Sequence, residues 1–188
     1  MNILLLGGIG SGKSMALEIL RDKYFANTIE ADKLAHSLYE KGQKGYDKLV
    51  LMFGEDILDD KKNIDRKKLA DILYCDNEKL KRVNSEIHPL VMEEVKKRLR
   101  SGLNVVEQAL LPDGSIKYDE IWYLHADMDI RKERLIKSRG LDSDRIISIV
   151  SKQPGEKDYR RVADKVIENN EGADELEKRL REALGETG

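Results

Sequence analysis

The 188-residue chain contains one cysteine, Cys75, and so can close no intramolecular disulfide. That usage fits a reducing compartment. Charge of neither sign dominates: 34 Lys and Arg stand against 36 Asp and Glu, for a net charge of −2. The chain lacks the basic excess that draws proteins to nucleic acid or to anionic membrane surfaces, so neither is expected as a main partner. No apolar run is long enough to span a bilayer. The amino terminus opens as a short apolar strand, not as a charged segment followed by the apolar core of a secretory signal. A cytoplasmic location is the expectation. Internal repeats and low-complexity tracts are absent too, which removes solenoids and disordered linkers. What remains is 40 % hydrophobic and 37 % charged. The length suits one domain with small appended modules, a true core and a heavily ionic surface.

The strongest signal is Gly7-Gly8-Ile9-Gly10-Ser11-Gly12-Lys13-Ser14, which fits the phosphate-binding pattern G-x-x-x-x-G-K-[ST]. Its flanks fit as well. Ile3, Leu4, Leu5 and Leu6 read as a buried strand, and Met15, Ala16, Ile19 and Leu20 follow at helical spacing. A strand that turns through glycines into a helix gathers free backbone N–H groups around one point, where the helix terminus adds partial positive charge. The pattern predicts that Lys13 reaches the β- and γ-phosphates and that the Ser14 hydroxyl ligates magnesium.

Strand-like runs recur at residues 3–6, 28–31, 103–107, 121–125 and 165–167, with helical patterns between them. The alternation predicts an α/β fold: a parallel sheet with helices on both faces. Glu30 and Asp32 emerge at the carboxyl end of the second run, the edge where ligands bind in open α/β sheets. Asp32 is suited both to cap the helix at 33–40 and to orient an acceptor hydroxyl and take its proton. From about 33 to 101 there is almost no strand signal, which reads as a helical insertion able to hold a second substrate. Asp65 and Asp76 are placed as N-caps, and Pro89 as the first turn of a helix over 90–100. Further helices are expected over 130–139, 143–152 and 173–184. The segment from 131 to 161 carries Arg131, Arg134, Arg139, Arg145, Arg160 and Arg161, and a lid over about 137–160 that clamps phosphates is expected there.

The loop implies a nucleoside triphosphate, and three classes use one. A GTPase switch needs D-x-x-G and N-K-x-D, and neither occurs. A motor or assembly ATPase needs an apolar strand ending in Asp or Asp-Glu; Val105-Val106-Glu107-Gln108 is a weak form, in a short chain. A small-molecule kinase needs the loop, a carboxylate, a binding module and a cationic lid, and all four have candidates.

At this point the chain resembles the dephospho-coenzyme A kinase family. The glycine loop carries the likeness together with Glu30-Ala31-Asp32-Lys33-Leu34-Ala35-His36, Ile64-Asp65-Arg66-Lys67-Lys68-Leu69 and Ile87-His88-Pro89-Leu90. Val105-Val106-Glu107-Gln108-Ala109-Leu110-Leu111 and Ala163-Asp164-Lys165-Val166-Ile167-Glu168-Asn169 extend it over nearly the whole chain. The resemblance implies one phosphate-loop kinase chain over 1–188, using ATP and Mg2+ to phosphorylate the ribose 3′-hydroxyl of a small-molecule substrate, dephospho-coenzyme A. The alternative is another small-molecule or nucleotide kinase on the same core. It implies nucleotide contacts from Gly8, Ile9, Gly10, Ser11, Gly12, Lys13, Ser14 and Met15, with Asn169 near the adenine. Asp32 falls on the catalytic carboxylate, His88 on the family's His-Pro pair as an acceptor-side ligand or a helix-entry hydrogen-bonding residue, and Arg139 on a lid arginine. Departures from the family pattern are Leu6 for Thr, Met15 for Thr, Glu30 for Asp, and Glu107 and Ala109 for Asp and Pro.

Overall fold

The computed structural model describes residues 1–185. The chain forms five strands: β1 (Asn2–Leu6), β2 (Asn27–Glu30), β3 (Asn104–Gln108), β4 (Glu120–His125) and β5 (Lys165–Glu168). They make one sheet in the order β2-β3-β1-β4-β5. β1 is central and pairs in parallel with β3 on one side and β4 on the other, and β4 pairs in parallel with β5. Chain connections diverge at β1, so the loop leaving its carboxyl end sits at a topological switch point.

Ile3, Leu4, Leu5 and Leu6 are fully buried, as are Val105 and Val106. A parallel strand covered on both faces must be apolar throughout, which is why β1 reads as an unbroken hydrophobic run. On one face the core gathers Ile3, Leu5, Val105, Trp122, Leu124 and Ile167. Against it lie α1 (Lys13–Tyr24), through Ala16, Leu17 and Leu20, and α9 (Ala173–Ala183), through Leu176 and Leu180. Buried polar groups are paired at the opposite end of the sheet. Asn104, 1 % exposed, bonds to Asn2, Asn27 and Arg100 and fastens β3 to its neighbours.

Two compact units share the chain. Met1–Ile29 with Leu99–Gly188 forms the α/β unit, and Glu30–Arg98 forms a helical one. The helical unit comprises α2 (Ala31–Leu38), α3 (Lys44–Phe53), a 3-10 turn (Gly54–Ile57), α4 (Arg66–Cys75) and α5 (Asn77–Arg98). Asp65 caps α4 by accepting from the Lys67 and Lys68 amides, and Asp76 accepts from those of Glu78 and Lys79. The α/β unit adds α6 (Met128–Arg139), α7 (Ser143–Ser151) and α8 (Glu156–Val162). Gly140 ends α6 in a left-handed conformation.

Two local expectations are corrected. Pro89 does not open a helix; it lies inside the 22-residue α5. Proline removes one backbone hydrogen bond and crowds the preceding turn. The helix continues because Val83 and Ile87 before it, and Val91, Met92 and Val95 after it, form one buried stripe. Asp32 is not an N-cap either. Glu30 holds that position without a side-chain bond, and Asp32 is exposed in the first turn of α2, where a carboxylate complements the helix dipole. Leu20 lies fully buried in the layer beneath the sheet. Leu20→Ala is expected to lower unfolding free energy by about 2–5 kcal/mol, measured by urea denaturation.

Candidate active site

The carboxyl end of β1 opens directly into the glycine loop, which ends at Gly12, the N-cap of α1. Gly10 and Gly12 have φ of 80° and 98°, a region that side-chain-bearing residues rarely adopt. Space is short as well. A Cβ on Gly12 would lie 2.1 Å from Asn169 Nδ2, and one on Gly7 would lie 2.8 Å from the Leu124 carbonyl oxygen. No side chain caps α1, so the N–H groups of its first turn are left for an anion at the loop.

Lys13 turns back over this cradle. Its Nζ donates to the Gly7 carbonyl at 2.7 Å and lies 3.3 Å from Glu107 Oε1. Both side chains are about nine-tenths buried. Glu107 enters from β3, where it is paired with Leu5 of β1. The ammonium is thus held in place before any ligand arrives.

Three residues distant in sequence fasten the loop from outside. Asn169, just past β5 and 3 % exposed, donates from Nδ2 to the Ser11 carbonyl at 2.7 Å. Its own backbone N–H bonds the His125 carbonyl at 2.7 Å. Arg131 of α6 donates from Nε to the Ile9 carbonyl at 2.8 Å, and its guanidinium packs on Gly8. Burial lowers the Arg131 pKa, with the nearby Tyr123 and Tyr159 phenols opposing. Those two rings stack at 5.0 Å, and burial raises both phenol pKa values. Gln153, in the turn after α7, accepts from the Ile9 amide at 2.8 Å. Ile9 is therefore held at both its N–H and its C=O. Around the loop, Ser11 Oγ, Asn169 Oδ1 and Arg134 Nη1 are buried and meet no partner among the described residues. Each such group costs about 1–3 kcal/mol when left unmet, and a polar ligand would satisfy them.

The residues singled out from the sequence are distributed as follows. Gly8, Ile9, Gly10, Ser11, Gly12, Lys13, Ser14 and Met15 form the loop and the first turn of α1, with Ser14 and Met15 exposed. Asn169 joins them. Arg139 is exposed at the last position of α6, and the arginine bonded to the loop is Arg131. Asp32, exposed in α2, and His88, half-buried in α5, both belong to the helical unit. Gln153 escaped sequence reasoning, since one amide in a turn carries no pattern. The spacing of Arg131 and Arg134, three apart on one helix face, was a usable signal for the other.

A parallel five-stranded sheet with this loop at its switch point defines a P-loop kinase fold. Residues 1–175 match the family model described as dephospho-CoA kinase. A dephospho-CoA kinase of Aquifex aeolicus is 36 % identical over 97 % of this chain and 95 % of its own. One from Lactobacillus johnsonii is 33 % identical over 98 % and 96 %. A crystal structure from Thermus thermophilus superposes with a TM-score of 0.81 at 28 % identity, covering 100 % of this chain and 98 % of that one. A shikimate kinase of Acinetobacter baumannii, at 18 % identity, TM-score 0.55 and coverage of 98 % and 93 %, shares the fold. The chain belongs to the dephospho-CoA kinase family.

Gly12→Ala would force the Asn169 amide aside while straining the backbone. Both Gly12→Ala and Asn169→Ala are expected to weaken nucleotide binding by at least about tenfold, as measured by titration calorimetry. Because the two positions share one contact, the double variant should lose less than the two single losses combined.

Proposed function

We propose that the protein transfers the γ-phosphoryl group of ATP to the ribose 3′-hydroxyl of dephospho-CoA. The carrying observation is the preorganised loop: left-handed glycines, uncapped helix amides and a buried, pinned ammonium at one point. Phosphoryl transfer proceeds through a loose transition state, so positioning and charge neutralisation supply most of the catalysis. Loop amides and the α1 terminus hold the triphosphate, and Lys13 offsets charge on its β- and γ-oxygens. Arg131 and Arg134 bring further positive charge to the loop's flank. Arg139 serves as a lid arginine in this reading, within a lid over about 137–160.

The exposed Ser14 hydroxyl opening α1 is a hard oxygen donor and fits magnesium, whose remaining positions phosphate oxygens and water would fill. When bound, the ion would supply charge neutralisation at the phosphate oxygens. Asp32, two residues past the end of β2, orients the acceptor hydroxyl and takes its proton. The helical unit, with His88 on its long helix, holds the acceptor. A cytoplasmic location accompanies this reading; among the described residues no helix is long and apolar enough to cross a membrane.

Asp32→Asn is expected to keep ATP binding while phosphate transfer to dephospho-CoA falls at least about a hundredfold, followed by coupled ADP release and product mass. Full activity in that variant would remove Asp32 from the chemistry. Faster transfer to nucleoside monophosphates or sugars than to dephospho-CoA would overturn the choice of acceptor.

A further inference from the structure

Two of the grips on the phosphate loop run back to one residue, His125, at the carboxyl end of β4. Its carbonyl accepts from the Asn169 N–H at 2.7 Å, and Asn169 in turn bonds the Ser11 carbonyl. Its ring reaches toward the other grip. Nδ1 lies 2.5 Å from Glu168 Oε2 on β5, and Nε2 lies 3.6 Å from Glu156 Oε2 at the start of α8. Glu156 is three residues beyond Gln153, whose side chain accepts from the Ile9 amide. The link between them is short and stiff. Pro154 fixes its own φ, and the Gly155 N–H donates to Asp158 at 3.2 Å. His125, Gln153, Pro154, Gly155 and Glu156 line one small cavity of about 200 Å3.

The charges around the imidazole close into a ring. Arg160 donates to Glu156 at 2.7 Å and to Glu168 at 3.4 Å, and its guanidinium lies 5.8 Å from the centre of the Tyr123 ring. Tyr123 meets the imidazole edge-on at 5.7 Å. Asp127 and Arg131, at the start of α6, share the cavity wall. The His125 side chain is 12 % exposed, while that of Glu156 is half exposed. Arg160 holds the Glu156 carboxyl below its usual range, with desolvation opposing and His125 assisting. A carboxylate can only accept, so the contact with Glu168 requires a proton on Nδ1. A neutral ring then turns a bare Nε2 lone pair toward the Glu156 carboxylate, acceptor against acceptor. Protonation puts a donor on Nε2 and converts that repulsion into a charge-assisted attraction.

We propose that His125 is a positioning residue for the phosphate loop: its protonated ring draws Glu156 toward β4, and the turn from Glu156 back to Gln153 passes that constraint to the Ile9 peptide. The cationic ring makes the grip firm and the neutral ring loosens it. The Asn169 arm hangs on a backbone carbonyl and does not respond to pH. Imidazoles change charge between about pH 5 and pH 8, so the Gln153 grip is firmest at the acid end of that span and weakens as pH rises through it. The inference rests on the loop being the nucleotide site.

The test follows the Ile9 amide by NMR in free protein and the ATP dissociation constant by titration calorimetry, at about pH 6 and about pH 8, in wild type, Glu156→Gln and His125→Asn. A glutamine at 156 still accepts from Arg160 and can donate to a neutral Nε2, so its grip should not weaken at the higher pH. The ratio of the two dissociation constants, high pH over low, should be about threefold larger in wild type than in Glu156→Gln, the size of a half-exposed ion pair. Comparing ratios cancels the titration of ATP itself. His125→Asn keeps a donor toward Glu168 but never carries charge. It should bind ATP about threefold more weakly than wild type at the lower pH and match it at the higher. The Ile9 amide signal should move with pH in wild type and stay in place in both variants. Glu156→Gln alters an exposed position and decides the matter even if His125→Asn does not fold. An Ile9 signal that moves equally in wild type and Glu156→Gln, or equal ratios of ATP affinity in the two, overturns the positioning role. An Ile9 response in a wild-type protein without affinity for ATP would instead overturn the reading of the loop as the nucleotide site.

Discussion

The loop depends on one crowded contact. Gly12 takes a left-handed backbone, and the space where its side chain would stand is filled by the Asn169 amide. That amide donates to the Ser11 carbonyl, one residue earlier. A glycine at that point is required twice, by its φ and by its neighbour. The consequence reaches outward. Asn169 is located by the pairing of β5 with β4, since Glu168 lies opposite His125 and the next amide bonds the His125 carbonyl. The shape of a loop near the start of the chain is thus set by a strand near its end. Arg131 and Gln153 complete the hold by taking both polar groups of the Ile9 peptide.

This arrangement spends little on reorganisation at the moment of binding. Lys13 is already turned into the cradle and paired with Glu107, with both groups largely withdrawn from water. A pair of that kind contributes less to stability than its Coulomb energy suggests, because desolvation offsets much of it. Its value lies in orientation. The sheet supplies the rigidity: β1 sits between two parallel partners, and its four apolar side chains are entirely buried. The helical unit has a different character. Its surface is laced with short-range ion pairs such as Lys81–Glu78 and Lys97–Glu94, each worth little alone.

Much of the architecture could be read along the chain. Central strands of a parallel sheet must be apolar on both faces, so β1, β3 and β4 stand out as runs without alternation. Asp65 and Asp76 announced their helices because a carboxylate before a helical stripe has one main use there. Pro89 misled, since its local rule was outweighed by a buried stripe running through it. Helix α8 gave no warning. It is seven residues long, and its one buried residue, Tyr159, is held by the Ala109 carbonyl fifty positions away.

The amino-acid order alone set out the phosphate-binding pattern, because glycine spacing, an ammonium and a hydroxyl are local requirements met within eight consecutive residues. It also settled the strand-and-helix alternation, which follows from hydrophobic period. Which arginine reaches the loop, which asparagine fills the space above Gly12, and which carboxylate pairs with Lys13 were decided only by the tertiary structure. Those partners lie on other strands and helices, and nothing within a short stretch of chain encodes the register and crossing that bring them into range. The same holds for His125 and Glu156, joined by the packing of α8 against β4 and not by spacing along the sequence.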